Sequence, residues 1–137
     1  MCKMTEWCDK HKEWATISLR LLLAFIFIPA GWGKLMNIAG TTGFFGSLGI
    51  PLAGFFAVVV GLVELLGGIA VLIGLATRYA SALLSIIMVV ALLTAHFDGG
   101  QFVNYGKAAV SLLVALSLMF SGEGVLGLER VICKKKK

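Results

Sequence analysis

The chain has 137 residues, 59% of them hydrophobic and only 14% charged, with a mean hydropathy of +0.97. A soluble domain of this size needs far more polar surface, so the composition excludes one and points to a single polytopic membrane domain. The net charge of +5 would suit nucleic acid, but the charges collect in two tails, where they act as orientation signals for the membrane.

Residues 1–13 form a polar N-terminal tail. Lys3, Lys10 and Lys12 stand there against Glu6, Asp9 and Glu13, with Trp7 inside and Trp14 just after. Two readings are open for it: a short amphipathic helix lying at the interface with its Trp rings at headgroup level, or a frayed solvated tail. No cleavable signal peptide is expected, because the first apolar run can span and no small-residue cleavage pattern follows it. Cys2, Cys8 and Cys133 all lie in the tails and suggest no disulfide framework.

The first predicted span covers residues 14–33 and is interrupted by Arg20 and Pro29. Arg20, Ala24, Phe27, Gly31 and Lys34 recur at four-three-four-three spacing, which places them on one helix stripe. Pro29 removes one backbone hydrogen bond and would kink the outer half. Beyond Lys34 the apolar run lapses into Leu35 to Ile50, with Gly40, Gly43, Gly46 and Gly49 beside Phe44 and Phe45. That composition predicts a loop or a short helix resting on the membrane surface.

The second predicted span, residues 52–75, holds one ionisable group, Glu64. About 20 apolar residues cross a bilayer core, and at ~1.5 Å rise per residue this carboxyl falls near the midplane. Gly54, Ala57, Gly61, Glu64 and Gly68 share a stripe. Small residues let a neighbouring backbone come close, so Glu64 is predicted to face protein and not lipid. Gly74-Leu75-Ala76-Thr77-Arg78 forms a tight connection in which Thr77 can cap the next helix.

The third span is predicted over residues 78–95, with Ser81, Ser85 and Met88 on one stripe, and His96-Phe97-Asp98-Gly99-Gly100 breaks it. The fourth is predicted over residues 104–121, with Lys107, Ser111, Val114 and Ser121 on one face. Residues 130–137 form a basic C-terminal tail, leaving 14–129 as the membrane domain. The expected fold is an all-α integral membrane four-helix bundle.

Counting Lys and Arg gives three in the first tail, one at Arg78 and five in the last tail, against Lys34 and Lys107 on the opposite face. Both termini are therefore predicted to be cytoplasmic. The closing lysines would also meet anionic headgroups.

With that orientation, depth predicts how the charges pair. Arg20 lies ~9 Å and Glu64 ~17 Å from the inner ends of their spans, a difference that an arginine side chain largely covers. Lys34 and Lys107 would have to reach roughly 15 Å inward, which needs a tilted or re-entrant backbone. Arg20 is thus the expected partner of Glu64. A bare carboxylate at the midplane costs several kcal/mol and must be paired, hydrogen-bonded or protonated. Two roles are open for Glu64: an Arg–Glu clasp locking two helices, or a ligand or proton site.

Lys34, His96, Asp98 and Lys107 form a second group at the outer ends of three spans. They are either lysines snorkelling at the interface, with their neighbours, or a basic mouth that admits a polar or anionic head group to a cleft ending at Glu64. In the second reading His96 could exchange protons. In the tails, Cys2, Cys8, His11 and Cys133 could supply four ligands to zinc, but their spacing matches no zinc pattern and no metal site is predicted.

Three segments resemble the DoxX family of small four-span bacterial membrane proteins. The first runs from Arg20 through Gly31 to Lys34, and the second from Glu64 through Gly67, Gly68 and Gly74 to Arg78. The third is His96 followed by Asn104-Tyr105-Gly106-Lys107. The likeness extends from Ser18 to about Val131, with Ala108 where an asparagine often stands and Glu129 in place of an aspartate. It implies a four-helix bundle in the bacterial inner membrane, with Arg20, Lys34, Glu64, Arg78, His96 and Lys107 as the family residues. It also implies an association with quinol oxidase, thiosulfate:quinone oxidoreductase or redox-stress complexes.

Two histidines, one of them in a tail, cannot ligate a haem through two intramembrane imidazoles. No Cys-x-x-Cys and no dinucleotide fingerprint is present. No intrinsic cofactor is expected, so a bound quinone or a partner would supply any redox chemistry. The functional expectation is an accessory subunit of a membrane redox complex with a quinone- or lipid-like ligand at Glu64. The alternatives are a structural or assembly protein holding a partner enzyme, and a small transporter or lipid-binding protein. Expected partners are the lipid bilayer and membrane or cytoplasmic redox proteins, with a homo-oligomer as a further option and no nucleic acid.

Overall fold

The computed structural model describes residues 2–95 and 102–121, with side chains over 14–94 and 106–121. It contains α1 (Cys2–Met36), α2 (Ile38–Ser47), α3 (Ala53–Ile73), α4 (Thr77–Ala95) and α5 (Phe102–Ser121). Trp14–Met36, Ala53–Ile73 and Thr77–Thr94 are each long and apolar enough to cross a membrane, and Gly106–Ser121 is a shorter apolar helix. The result is an all-helical membrane bundle.

α1 is one helix of 35 residues that runs through Pro29. At ~1.5 Å per residue it measures roughly 52 Å, well beyond a hydrocarbon core of ~30 Å. The polar tail from Cys2 onward is therefore its first turns and not a separate element. The far end also differs from expectation: α1 continues past Gly33 to Met36 and breaks at Asn37. There the Asn37 side chain accepts a hydrogen bond from Gly40 N at 3.0 Å and caps α2, satisfying one of the donors that every helix start leaves open.

α2 does not stand apart from the bundle. It packs chiefly on α3, and Gly54 faces Thr42 there. α3 then runs back along α1, its main partner. A methyl group built on Gly31 would stand 2.5 Å from Leu65 N and 2.7 Å from the Gly61 carbonyl, so the two backbones touch. Further along, Gly68 meets Phe27 and Ile28. Lipid is as apolar as a leucine side chain, so such helices associate through close van der Waals packing, which small residues permit.

α3 ends at Gly74, whose φ of +72° is open to glycine without a Cβ penalty. Gly74 N donates to the Val71 carbonyl and Leu75 N to the Ala70 carbonyl, at 3.2 and 2.9 Å, closing the helix in a Schellman arrangement. α4 returns with Leu84 against Gly67, and α5 packs on α4 and α1 to close the bundle.

The central core is Leu23, Phe27, Val71, Ala80, Leu84, Met88, Ala115 and Leu118. Phe25, Tyr79 and Phe120 point outward, as lipid-facing side chains do. The buried face of α5 is Ser111, Ala115 and Leu118, rotated from the expected one. Lys107 and Ser121 are exposed and Val114 lies at its edge.

Candidate functional site

Ala57, Gly61, Glu64, Gly68 and Val71 form the buried stripe of α3, and Gly54 at its start is half-buried. Gly61 sets how closely α1 approaches this stripe. Its missing side chain lets α1 settle with Lys34 Cβ 3.4 Å and Leu35 Cδ2 3.0 Å from where a Cβ would be. Lys34 is thereby placed one helical turn from Glu64. Its Nζ donates to Glu64 Oε2 at 2.5 Å, forming a charge-assisted hydrogen bond.

This pairing corrects the expectation that Arg20 would meet Glu64 and that Lys34 lies too far out. The depth estimate took Gly33 as the outer edge of the first span. In the fold, α1 runs on to Met36 with Lys34 and Leu35 against Gly61 in the middle of α3, while α2 packs on α3 with Thr42 facing Gly54 near its start. Lys34 is consequently at the level of Glu64 and needs no long reach.

Arg20 is buried and serves another purpose. Its Nε donates to the Val71 carbonyl at 2.8 Å and its Nη2 to the Leu72 carbonyl at 2.7 Å. The last four carbonyls of a helix lack intrahelical partners, and a cation near them also meets the negative end of the helix dipole. Arg20 therefore ties α1 to the C-terminus of α3, seven residues beyond Glu64, or ~10 Å along the helix.

Asn37 and Thr41 close the α1–α2 break beside Lys34, and sequence reasoning missed both. Thr41 Oγ1 bonds the Asn37 carbonyl at 2.9 Å and the Lys34 carbonyl at 3.3 Å. The readable signal was an Asn followed three residues later by Gly40, which leaves room for the capping side chain.

Of the other expected site residues, His96 and Asp98 lie outside the described residues. Lys107 and Arg78 are both exposed. Among the described members of that group, Lys34 turns to Glu64 and Lys107 is exposed. Among the described residues no group of three or more His, Cys, Asp or Glu could hold a metal. The side chains of Cys2, Cys8, His11 and Cys133 fall outside that set.

In α4, Ser85 Oγ bonds the Ser81 carbonyl at 2.7 Å, the usual way a hydroxyl is satisfied within a membrane helix. Thr77 Oγ1 and Ser81 Oγ are buried without a hydrogen-bond partner among the described residues. Thr77 is the first residue of α4, and its hydroxyl does not make the expected cap.

The electrostatic centre of the bundle is thus a carboxylate that is 2% exposed, held by an ammonium group from the neighbouring helix. An ion pair in so apolar a setting can lock two helices, carry a proton or hold the polar end of an apolar molecule.

The DoxX family model matches residues 15–97, more than half of the chain. The chain is similar to a Bacillus subtilis protein named "Putative oxidoreductase CatD", with 33% identity over 94% of this chain and 95% of that protein. It is also similar to the Escherichia coli inner membrane protein YqjF, with 30% identity over 92% of this chain and 98% of the relative. An uncharacterised Haemophilus influenzae protein is 31% identical over 93% of this chain and 97% of its own length. No solved structure matches. The chain is a member of the DoxX family.

Proposed function

We propose that this DoxX-family protein is an accessory membrane subunit of a redox complex, in which the Lys34–Glu64 pair receives a quinone- or lipid-like ligand. The observation that carries the reading is the ion pair itself, set midway along the most apolar helix. Two charges at that depth are costly to keep, and such groups usually mark a ligand or proton path. A molecule with a polar head and an apolar body fits a polar pair surrounded by apolar helix faces. The Bacillus relative bears the name of an oxidoreductase, which supports the redox half of the reading. The quinone or a partner would supply the redox chemistry.

One observation favours a second reading, a structural or assembly protein holding a partner enzyme. Glu64 is almost wholly enclosed, as a clasp between α1 and α3 would be. Lipid extraction and mass spectrometry on gently purified protein separate the two readings. A stoichiometric quinone supports the first. A co-purifying enzyme without a retained quinone supports the second. A bound phospholipid alone would instead indicate a lipid-binding protein.

The lysine-rich tails support a bacterial inner-membrane topology with both termini cytoplasmic.

A further inference from the structure

We infer that Lys34 is the group that touches the ligand, that the ligand offers it a neutral carbonyl oxygen, and that Glu64 is a positioning residue behind it. This rests on the proposal that the pair serves a ligand, and goes beyond it in naming the contact and the ligand chemistry.

The two members of the pair are unequally accessible. The Lys34 side chain is 28% exposed and that of Glu64 3%, so an incoming molecule meets the lysine side chain before the carboxylate. An ammonium has three N–H donors and no acceptor. Among the described residues, Lys34 Nζ donates to one side chain, Glu64, which leaves donors for a ligand that can only accept.

Among the described residues, neither the Asn37 amide nor the Thr41 hydroxyl accepts a bond from Lys34 Nζ: Asn37 Oδ1 accepts from Gly40 N, and Thr41 Oγ1 donates to the Asn37 and Lys34 carbonyls.

Charge then narrows the class. Lys34 and Glu64 sum to zero, so a neutral carbonyl adds no net charge to an apolar site. A phosphate would leave an unbalanced negative charge there, and burying one is expensive. A lipophilic carbonyl compound, from either a quinone ring or a lipid ester, meets both conditions: its oxygen accepts without donating, and it brings no charge.

The test uses the full chain in carbonyl-free detergent, with decylubiquinone, a diacylglycerol and phosphatidic acid as separate probes. Binding of decylubiquinone alone assigns the carbonyl to a quinone, and binding of the diacylglycerol assigns it to a lipid ester. Isotope-edited infrared spectroscopy of the bound, carbonyl-labelled probe should show its stretch lowered by a hydrogen bond. Lys34→Met should weaken binding by about tenfold or more, the loss expected for one charge-assisted bond. Glu64→Gln, whose amide oxygen can still hold Lys34, should rescue binding relative to Glu64→Leu.

The infrared shift in the native protein stands even if Lys34→Met fails to fold. Equal binding by native protein and Lys34→Met would overturn the inference while sparing the ligand reading. So would an unshifted carbonyl, or tighter binding of phosphatidic acid. If no probe binds the native protein, the ligand reading falls and this inference falls with it.

Discussion

Lys34 Nζ lies 2.5 Å from Glu64 Oε2 because Gly61, one turn before Glu64, lets the α1 backbone rest on α3. The pair links these two helices through a salt bridge, beside the Arg20 bonds to the Val71 and Leu72 carbonyls. Removing either partner strands a charge, which for a fully buried pair costs about 3–5 kcal/mol. Since Lys34 is partly exposed, we expect Lys34→Met or Glu64→Leu to cost up to roughly 3 kcal/mol. The double variant Lys34→Met/Glu64→Leu should recover most of that loss. A thermal-unfolding double-mutant cycle in detergent measures it, and additive losses would contradict the pairing.

Gly31→Ala should be among the most damaging single-methyl changes in the bundle. Its Cβ would meet backbone atoms, Leu65 N at 2.5 Å and the Gly61 carbonyl at 2.7 Å. Backbone cannot rotate away, so α1 must move, at a cost of roughly 2–3 kcal/mol. Gly67→Ala meets only the end of the Leu84 side chain, at 3.2 Å, and should cost less. Equal melting temperatures for the two variants would argue against the α1–α3 contact.

Arg20→Lys keeps the charge but loses the guanidinium fork that serves the Val71 and Leu72 carbonyls. A lysine has no planar fork to aim two separate nitrogens at the two carbonyls, and we expect a loss of about 2 kcal/mol. The loss should show as faster hydrogen exchange at the C-terminal turn of α3, with the Lys34–Glu64 pair left intact. Exchange measured by mass spectrometry on matched peptides checks the location.

These relationships show how much the sequence discloses. The buried stripe of α3 is readable, since Ala57, Gly61, Glu64 and Gly68 recur at helical spacing. The stripe of α1 through Arg20, Ala24, Phe27 and Gly31 is equally so. Which charges meet is not, because that depends on the register between α1 and α3. Register is set by the Gly31–Gly61 backbone contact, and no single-helix pattern reveals it. Hydropathy stops the first span at Gly33, while α2 prolongs the packed layer beyond it. Arg20 looks like the counter-ion of Glu64 because both are intramembrane charges, yet its Nε and Nη2 bond the Val71 and Leu72 carbonyls at a helix end.

Topology is tested with the tails. With both termini cytoplasmic, Cys2, Cys8 and Cys133 in intact cells should resist a membrane-impermeant maleimide and react after permeabilisation. Labelling in intact cells would contradict the orientation that the lysine distribution supports.

Whether the Lys34–Glu64 pair holds a ligand, and does more than clasp two helices, is decided by what the protein carries out of the membrane. Native protein and Lys34→Met/Glu64→Leu should be purified in parallel from the same host and their extracted quinones quantified by mass spectrometry. A stoichiometric quinone is expected on the native protein. None is expected on the double variant, with melting temperatures within a few degrees of each other. Equal quinone on both proteins would contradict a ligand role for the pair, and the absence of both quinone and a stoichiometric lipid from the native protein would contradict it as well.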